Sequence, residues 1–174
     1  RATTTQKTIF MFPGQGSQYP GMGAAAAMQF DAARTVWDRA AGQRVHEIVF
    51  ADAADPLTRT ENAQPALGLA SMALLAVLQE LGIEGSMTAG HSFGEIVALH
   101  AAGVISETDA VCIARRRGEL MRDAAASGSG AMCALACSIE RARELVGPSL
   151  AIANHNAPEQ VVVSGPLDAI AALE

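Results

Sequence analysis

The pattern of apolar and polar positions over the first two thirds of the chain alternates between short apolar runs and segments with helical spacing. Residues 8–12, TIFMF, form a continuous apolar run before a Pro-Gly pair, which is typical of a strand buried on both faces. Apolar residues at helical spacing predict a helix over 30–41. A second helix is predicted over 65–82, because Pro65 suits the first turn of a helix and the middle of the segment is apolar on nearly every side. Residues 86–90, SMTAG, predict another strand, and such alternation indicates a parallel sheet covered by helices.

The pattern changes after a glycine- and serine-rich joint at residues 126–130. Before the joint, helices are predicted over 93–102 and from Ser106, which opens a capping box, to about Ala125. After it, short apolar runs and one amphipathic segment predict β-α-β-β-α, which is one strand short of a ferredoxin-like unit. In order, these elements are expected at 131–137, 138–146, 149–154, 160–165 and 166–174. The chain is therefore expected to be of the α/β class, with one subdomain over 1–127 and the start of a smaller one over 128–174.

Composition excludes several classes of function. The net charge of −6 leaves too few cations to displace counterions from nucleic acid. The longest apolar run, around Ala66–Leu78, is shorter than the roughly 20 residues that cross a bilayer, so no membrane partner is expected. Three cysteines without ligand spacing indicate a reducing compartment, taken here as the cytoplasm, and no metal site.

Ser92 lies at the centre of Gly90-His91-Ser92-Phe93-Gly94, a G-x-S-x-G motif between a predicted strand and a predicted helix. That context is the one in which a nucleophilic serine occupies a strained turn, with glycines on either side because the backbones approach closely there. The following helix would direct free N–H groups and its positive dipole end at an oxyanion. The alternative is that Ser92 is an ordinary N-cap of a buried helix.

Arg117 falls on the apolar arc of its predicted helix. Residues spaced 100° apart place it with Ala110, Ala114, Met121 and Ala125. An arginine on such an arc requires an anionic partner, because an unpaired buried charge is costly. That partner is either a substrate carboxylate or an internal acidic residue, and helical spacing does not distinguish them.

Three ordered motifs carry a resemblance to a known family. MFPGQGSQYPGMG is followed by GHSFGE and then by RRRGELM, and GSGAMCAL and ANHNAPEQVVVSG extend the similarity towards the end. The chain resembles the acyltransferases that load carrier proteins, namely malonyl-CoA:acyl carrier protein transacylases and polyketide synthase acyltransferase domains. The resemblance implies an α/β-hydrolase-like core with an inserted ferredoxin-like subdomain. Because the chain opens RATTTQKT without a methionine, we expect a domain excised from a larger synthase. Because the second subdomain stops one strand short, we expect an N-terminal fragment of that domain.

The resemblance also implies a role for each matching residue. Ser92 would be acylated, while Gln15 and the backbone N–H of Phe93 would form the oxyanion hole. Arg117 would bind the free carboxylate of a malonyl-type group through its guanidinium fork. His91 would line the pocket.

The general base of the family is a histidine far downstream of the serine, expected beyond Glu174. The three other histidines of this chain are interpreted as structural: His46, His100 and His155.

The function implied by the resemblance is a two-step acyl transfer in polyketide or fatty-acid biosynthesis. A malonyl-type group would pass from coenzyme A to Ser92 and then to the phosphopantetheine thiol of an acyl carrier protein. No cofactor would be bound by this domain, and its partners would include other domains of a multidomain synthase. Phe93 after the serine is similar to malonyl-loading, iterative-type domains, including enediyne synthases.

Two alternatives use other chemistry. A serine esterase or thioesterase would use the same turn with water as the acceptor and would need no inward arginine. A non-catalytic docking or scaffolding piece would acquire no acyl group at all.

Overall fold

The computed structural model describes residues 7–51, 54–128 and 130–173, without the side chain of Ser127. The chain divides into two compact units, Arg1–Arg122 and Asp123–Glu174. The division falls within a helix and just before the joint predicted at 126–130, of which Ser129 lies outside the described residues.

The first unit contains a parallel strand pair and seven helices within its described part. The strands are β1 (Ile9–Phe12) and β2 (Met87–Gly90). The helices are α1 (Ala24–Gln29), α2 (Asp31–Arg39), α3 (Val45–Val49), α4 (Asp55–Thr58), α5 (Thr60–Glu80), α6 (Gly94–Ala101) and α7 (Glu107–Ser127), the last continuing into the second unit. A 3₁₀ turn at Ala41–Gln43 separates α2 from α3. The predicted alternation of strands and helices is confirmed, but α1, α3 and α4 are too short to show a helical period in sequence.

Strands β1 and β2 run parallel, with Ile9 paired to Met87 and Phe12 paired to Gly90. Both strands therefore end at the same level, and the loops that follow them emerge at one edge of the sheet. Ligand-binding loops occur at this carboxyl edge in parallel sheets. The expectation that β1 is buried on both faces is wrong, because Ile9 and Met11 are exposed and only Phe12 is fully buried. Within the described residues of this unit, α6 packs on both strands, and the face that carries Ile9 and Met11 stays open.

Helix α5 is the centre of the first core. It contributes a run of buried residues from Ala63 to Ala70, as its all-round apolar pattern predicts. The prediction that the helix begins at Pro65 is wrong, since it begins at Thr60 and holds Pro65 inside. A proline there removes one hydrogen bond, and burial of the surrounding segment offsets that loss.

Polar contacts fix the ends of two other helices. At the start of α7, the Asp109 N–H donates to Ser106 Oγ over 3.0 Å, which is the first bond of the predicted capping box. The Asp109 carboxylate accepts from the Ser106 hydroxyl over 2.7 Å, where a full capping box would use the Ser106 backbone N–H. Arg39 of α2 donates two hydrogen bonds to Glu107 at the start of α7, which raises the pKa of the Arg39 guanidinium.

The second unit is an antiparallel sheet with two helices within its described part. In chain order, its elements are β3 (Gly130–Leu135), α8 (Ile139–Leu145), β4 (Ala151–Ala157), β5 (Gln160–Pro166) and α9 (Leu167–Ala171), and the strand order is β3-β5-β4. The predicted β-α-β-β-α sequence is confirmed. The prediction that this strand ends at residue 154 is wrong, because β4 continues through His155 and pairs it with Val161. Irregular pairing on either side of His155 allows the strand to extend through this polar segment.

Both units have apolar cores. The first groups buried side chains of α2, α5 and α6, and the second is smaller and centres on Ala142, Val161, Val163 and Ile170. Among the described helices, none combines the length and apolarity needed to cross a membrane.

Candidate active site

Ser92 occupies the turn between β2 and α6 in a left-handed backbone conformation. Its φ is 53°, and Arg44 is the one other non-glycine residue with positive φ in the described part of the chain. This conformation is disfavoured for a residue with a Cβ, and it recurs where a structure holds a reactive side chain in strain. Ser92 is exposed, whereas Phe93 after it is 1% exposed and anchors the start of α6 in the core. The strand-turn-helix context predicted for this serine is confirmed.

The flanking glycines are required by close backbone contacts. A Cβ on Gly90 would overlap the backbone of Gly94, and a Cβ on Gly94 would overlap the carbonyl oxygen of Phe12. Any side chain at either position would force the strand and the helix apart. The two glycines therefore let β1, β2 and α6 meet around Ser92.

The GQGSQ loop after β1 lies against the serine turn. The backbone N–H of His91 donates to the Phe12 carbonyl over 3.2 Å, and a Cβ on Gly14 would lie 2.7 Å from the His91 carbonyl oxygen. Gly16 has φ 111°, a conformation that L side chains rarely adopt, so it turns the loop after Gln15.

The backbone N–H groups of Gln15 and Phe93 have no hydrogen-bond acceptor within residues 7–51, 54–128 and 130–173. Gln15 follows β1 and Phe93 is the N-cap of α6, so both follow strands that end at the same edge of the sheet. Free backbone N–H groups are donors of the kind that an oxyanion requires.

Arg117 of α7 contacts the serine directly. Its Nη2 donates to Ser92 Oγ over 3.2 Å, and its Nη1 donates to Gln64 Oε1 over 2.8 Å. No acidic side chain in the described part of the chain lies within ion-pair distance of this guanidinium. Of the two partners left open by the helical pattern, an internal carboxylate is therefore not found among these residues.

The predicted apolar arc of α7 is buried only in part. Ala110 and Ala114 are buried, but Met121 is 43% exposed and Ala125 is also exposed. Helical spacing placed all four on one apolar arc, but beyond Gly118 that arc is exposed. The periodicity of a helix does not reveal where the packed neighbour ends, and here α5 begins at Thr60, opposite Gly118.

Gln64 is a polar residue of the site that the sequence reasoning missed. It is 0% exposed and is the one fully buried polar side chain among the described residues. Its amide accepts from Arg117 and donates to Thr60 Oγ1 at 3.0 Å and Gln15 Oε1 at 3.3 Å. The available signal was a single amide within an otherwise apolar stretch, but the predicted start at Pro65 left it outside the helix.

The four histidines lie at separate positions. His91 is exposed in the serine turn itself, while His100 Nδ1 lies 3.2 Å from the Ile105 carbonyl oxygen, at the end of α6. His46 lines a cavity of about 450 Å³ beside Trp37, and His155 lies in β4 of the second unit. The one side chain that hydrogen-bonds the Ser92 hydroxyl in the described part of the chain is that of Arg117.

No group of three or more metal-ligating side chains is found among the described residues. The described site brings together the Ser92 hydroxyl, on a turn with positive φ, and the guanidinium of Arg117.

Comparison with known sequences assigns the family. Residues 9–173 match the family model of the acyl transferase domain. The chain is 43% identical over 169 residues to the malonyl CoA-acyl carrier protein transacylase of Bacillus subtilis, covering 91% of this chain and 53% of that protein. It is 38% identical over 179 residues to the mycoketide-CoA synthase of Mycobacterium tuberculosis, covering 99% of this chain and 4% of the synthase. The chain thus spans about half the length of the transacylase that it matches.

Solved structures agree with the sequence comparison. The acyl-carrier-protein-S-malonyltransferase of Bartonella henselae is 40% identical and superposes with a TM-score of 0.88, over 97% of this chain and 58% of its own. A type II polyketide malonyl-transacylase solved in complex with its acyl-carrier protein is 35% identical, with a TM-score of 0.85 and coverage of 97% and 58%. The mixed α/β fold therefore matches that of malonyltransferases. From the match over residues 9–173, the chain belongs to the acyl transferase domain family.

Proposed function

We propose that the protein transfers a malonyl-type acyl group from coenzyme A to the phosphopantetheine thiol of an acyl carrier protein, through an ester on Ser92. The names of the relatives support the reaction, and the structure of a related transacylase with its carrier protein supports the partner. The pathway would be fatty-acid or polyketide synthesis in the cytoplasm. The similarity to a multidomain synthase supports other synthase domains as partners.

The observation that carries this proposal is the contact between Arg117 Nη2 and Ser92 Oγ at 3.2 Å. The guanidinium presents several donors in a planar fork, which matches a carboxylate better than an uncharged acyl chain. Because no acidic side chain in the described residues neutralises it, its charge is available to an acid carried by the substrate. A malonyl group places such a carboxylate a short distance from its thioester carbonyl.

The proposed reaction has two balanced halves. In the first, Ser92 Oγ attacks the thioester carbonyl, the new C–O bond forms, the C–S bond breaks, and coenzyme A leaves as a thiol with the serine proton. In the second, the carrier thiol attacks the ester, and its proton returns to Ser92 as the C–O bond breaks. The backbone N–H groups of Gln15 and Phe93 would stabilise the oxyanion of both tetrahedral intermediates.

The proton carrier in these steps is assigned only by resemblance. Arg117 cannot accept a proton, since guanidinium is a donor throughout the working pH range. In the family the base is a histidine that corresponds to none of the four in this chain. We propose that His91 lines the acyl pocket, as its place beside Ser92 supports.

We also propose subdomain identities for the two units. The parallel pair and the serine turn support an α/β-hydrolase-like large subdomain. The β-α-β-β-α order and the antiparallel arrangement β3-β5-β4 support the start of an inserted ferredoxin-like subdomain.

Mass spectrometry of the intact protein after incubation with malonyl-CoA tests the proposal. We expect a malonyl adduct on Ser92 that is absent in Ser92→Ala and that passes to a holo carrier protein. Long incubations are included, because the contribution of a general base to such a step is about 10²–10⁴ in rate.

Three outcomes contradict the proposal or a part of it. Free malonate without a labelled carrier would indicate a thioesterase, in which water is the acceptor. Binding of malonyl-CoA without any adduct after long incubation would indicate a binding module. An acetyl adduct formed as readily as the malonyl adduct would remove Arg117 from substrate selection.

A further inference from the structure

Gln64 connects three elements that contribute to the proposed site. It lies on α5, accepts a hydrogen bond from Arg117 of α7, and donates towards Gln15 of the GQGSQ loop. A buried amide is costly unless its polar atoms are paired, and here both ends of the amide have partners.

The orientation of this amide is dictated by Arg117. Because a guanidinium can only donate, Gln64 Oε1 must face it, and Gln64 Nε2 must face the opposite side. On that side lie three acceptors: Thr60 Oγ1 at 3.0 Å, Met121 Sδ at 3.1 Å and Gln15 Oε1 at 3.3 Å.

A directed chain of hydrogen bonds follows from that orientation. Arg117 donates to Gln64 over 2.8 Å, Gln64 donates to Thr60 over 3.0 Å, and Thr60 donates to Gln15 Oε1 over 2.8 Å. Each group donates in the same direction, and hydrogen bonds in such chains strengthen one another. The Gln15 side chain is thereby held at α5, beside the glycines that shape its loop.

We propose that Gln64 is a positioning residue that holds Arg117 towards Ser92 and, through Thr60, holds the Gln15 loop. One buried amide would then set both the recognition of the substrate carboxylate and the stabilisation of the oxyanion. This inference rests on the proposed acyl transfer and adds a specificity-determining residue to it. Gln64 does not touch the substrate. It acts through two residues that do.

The test compares Ser92 acylation by malonyl-CoA and acetyl-CoA in single-turnover experiments. Gln64→Met keeps the volume but removes the hydrogen bonds. We expect malonyl acylation to fall by about 10², chiefly through a higher half-saturating concentration, because misplacing a substrate-binding group costs rate on that scale. Acetyl acylation should fall only about tenfold, through the loop, as loss of roughly one hydrogen bond implies. Gln79→Met, the same change at an exposed site on α5, should alter neither.

Thr60→Val separates the two effects. It removes the bonds that Thr60 Oγ1 makes with Gln64 and with Gln15, and it leaves the Arg117–Gln64 bond in place. Acylation by both acyl groups should fall by the same factor, so the ratio of malonyl to acetyl acylation stays at the wild-type value. A selective loss of malonyl acylation in this variant would contradict the proposed direction of the hydrogen-bond chain from Arg117 to Gln15.

A double variant excludes a merely structural role. In an Arg117→Met background, Gln64→Met should lower malonyl acylation no more than it lowers acetyl acylation, because the residue through which it selects malonyl is gone. If Gln64 only stabilised the fold, its effect would be the same with and without Arg117. Should Gln64→Met fail to fold, Gln64→Glu replaces it, since its carboxylate would occupy the Arg117 fork and abolish the malonyl preference.

The outcomes also separate this inference from the proposed function. A wild-type protein without a malonyl adduct on Ser92 overturns both. A wild-type protein that prefers malonyl, with Gln64→Met and Gln64→Glu retaining that preference within about threefold, overturns the role of Gln64 alone. The preference should otherwise fall about tenfold, because malonyl acylation loses about 10² and acetyl acylation about tenfold.

Discussion

Helix α7 crosses α5 at Gly118, so closely that a Cβ on Gly118 would lie 2.7 Å from the Cα of Glu61. The same Cβ would lie 2.7 Å from the carbonyl oxygen of Thr60. Arg117, the preceding residue of α7, is brought by this contact within 2.8 Å of Gln64, one turn further along α5. The absence of one side chain thus sets the distance between the helices that hold the guanidinium and its buried amide.

Gly118→Ala should separate these helices. We expect the free energy of unfolding to fall by about 1–3 kcal/mol, as in other overpacked sites, and the preference for malonyl over acetyl to fall with it. Urea denaturation and the acylation assay measure the two effects. Cys112→Ala, at an exposed position of the same helix, is the control and should leave both unchanged. A Gly118→Ala protein with wild-type stability would show that the two helices accommodate a Cβ at this crossing.

Arg117→Ala should reverse the acyl selectivity. Two charge-assisted hydrogen bonds to a carboxylate contribute about 1.5–3 kcal/mol each, so malonyl acylation should fall by about 10² or more. Acetyl acylation should hold or improve, because the pocket no longer presents an unpaired cation. Competition between the two thioesters, read by mass spectrometry of Ser92, measures the ratio.

Arg116→Ala is the matched control for that experiment. Arg116 is exposed on the same helix and pairs with Glu119. Its loss should not measurably change the acylation of Ser92 by either malonyl-CoA or acetyl-CoA. Equal effects of the two arginine variants would mean that Arg117 acts only through the general charge of the helix.

Ser92→Gly and Ser92→Ala should both prevent acylation but should differ in stability. At φ 53° an L residue costs about 1–2 kcal/mol, and glycine avoids that cost while losing part of the gain to chain entropy. We therefore expect the free energy of unfolding, measured in urea, to be about 1 kcal/mol higher for Ser92→Gly than for Ser92→Ala. Identical midpoints for the two variants would indicate that the turn relaxes in solution.

Gly94→Ala should disrupt the serine turn. The Cβ of the new alanine would overlap the Phe12 carbonyl oxygen. We expect the free energy of unfolding to fall by about 3 kcal/mol or more and Ser92 acylation to be lost. Gly42→Ala is the control, since no atom lies within 4 Å of a Cβ there and its stability should stay within about 0.5 kcal/mol. Similar denaturation curves for the two would contradict the close approach of α6 to β1.

The sequence by itself determined the elements with strong local signals. Residue spacing predicted four features that depend on near neighbours in the chain. These are the Ser92 turn, the apolar core helix α5, the N-cap at Ser106 and the β-α-β-β-α order of the second unit. The family followed from three motifs in order, which the match over residues 9–173 confirms.

Only the tertiary structure decided what depends on contacts between distant segments. It placed Pro65 inside α5, carried β4 through His155, left one face of β1 open and ended the buried side of α7 near Gly118. It also joined Gln15, Gln64, Ser92 and Arg117, which are far apart in sequence, into one hydrogen-bonded group. The physical reason is that helical and strand periods report which side of an element is apolar, whereas the partner of a buried polar group is chosen by packing between elements.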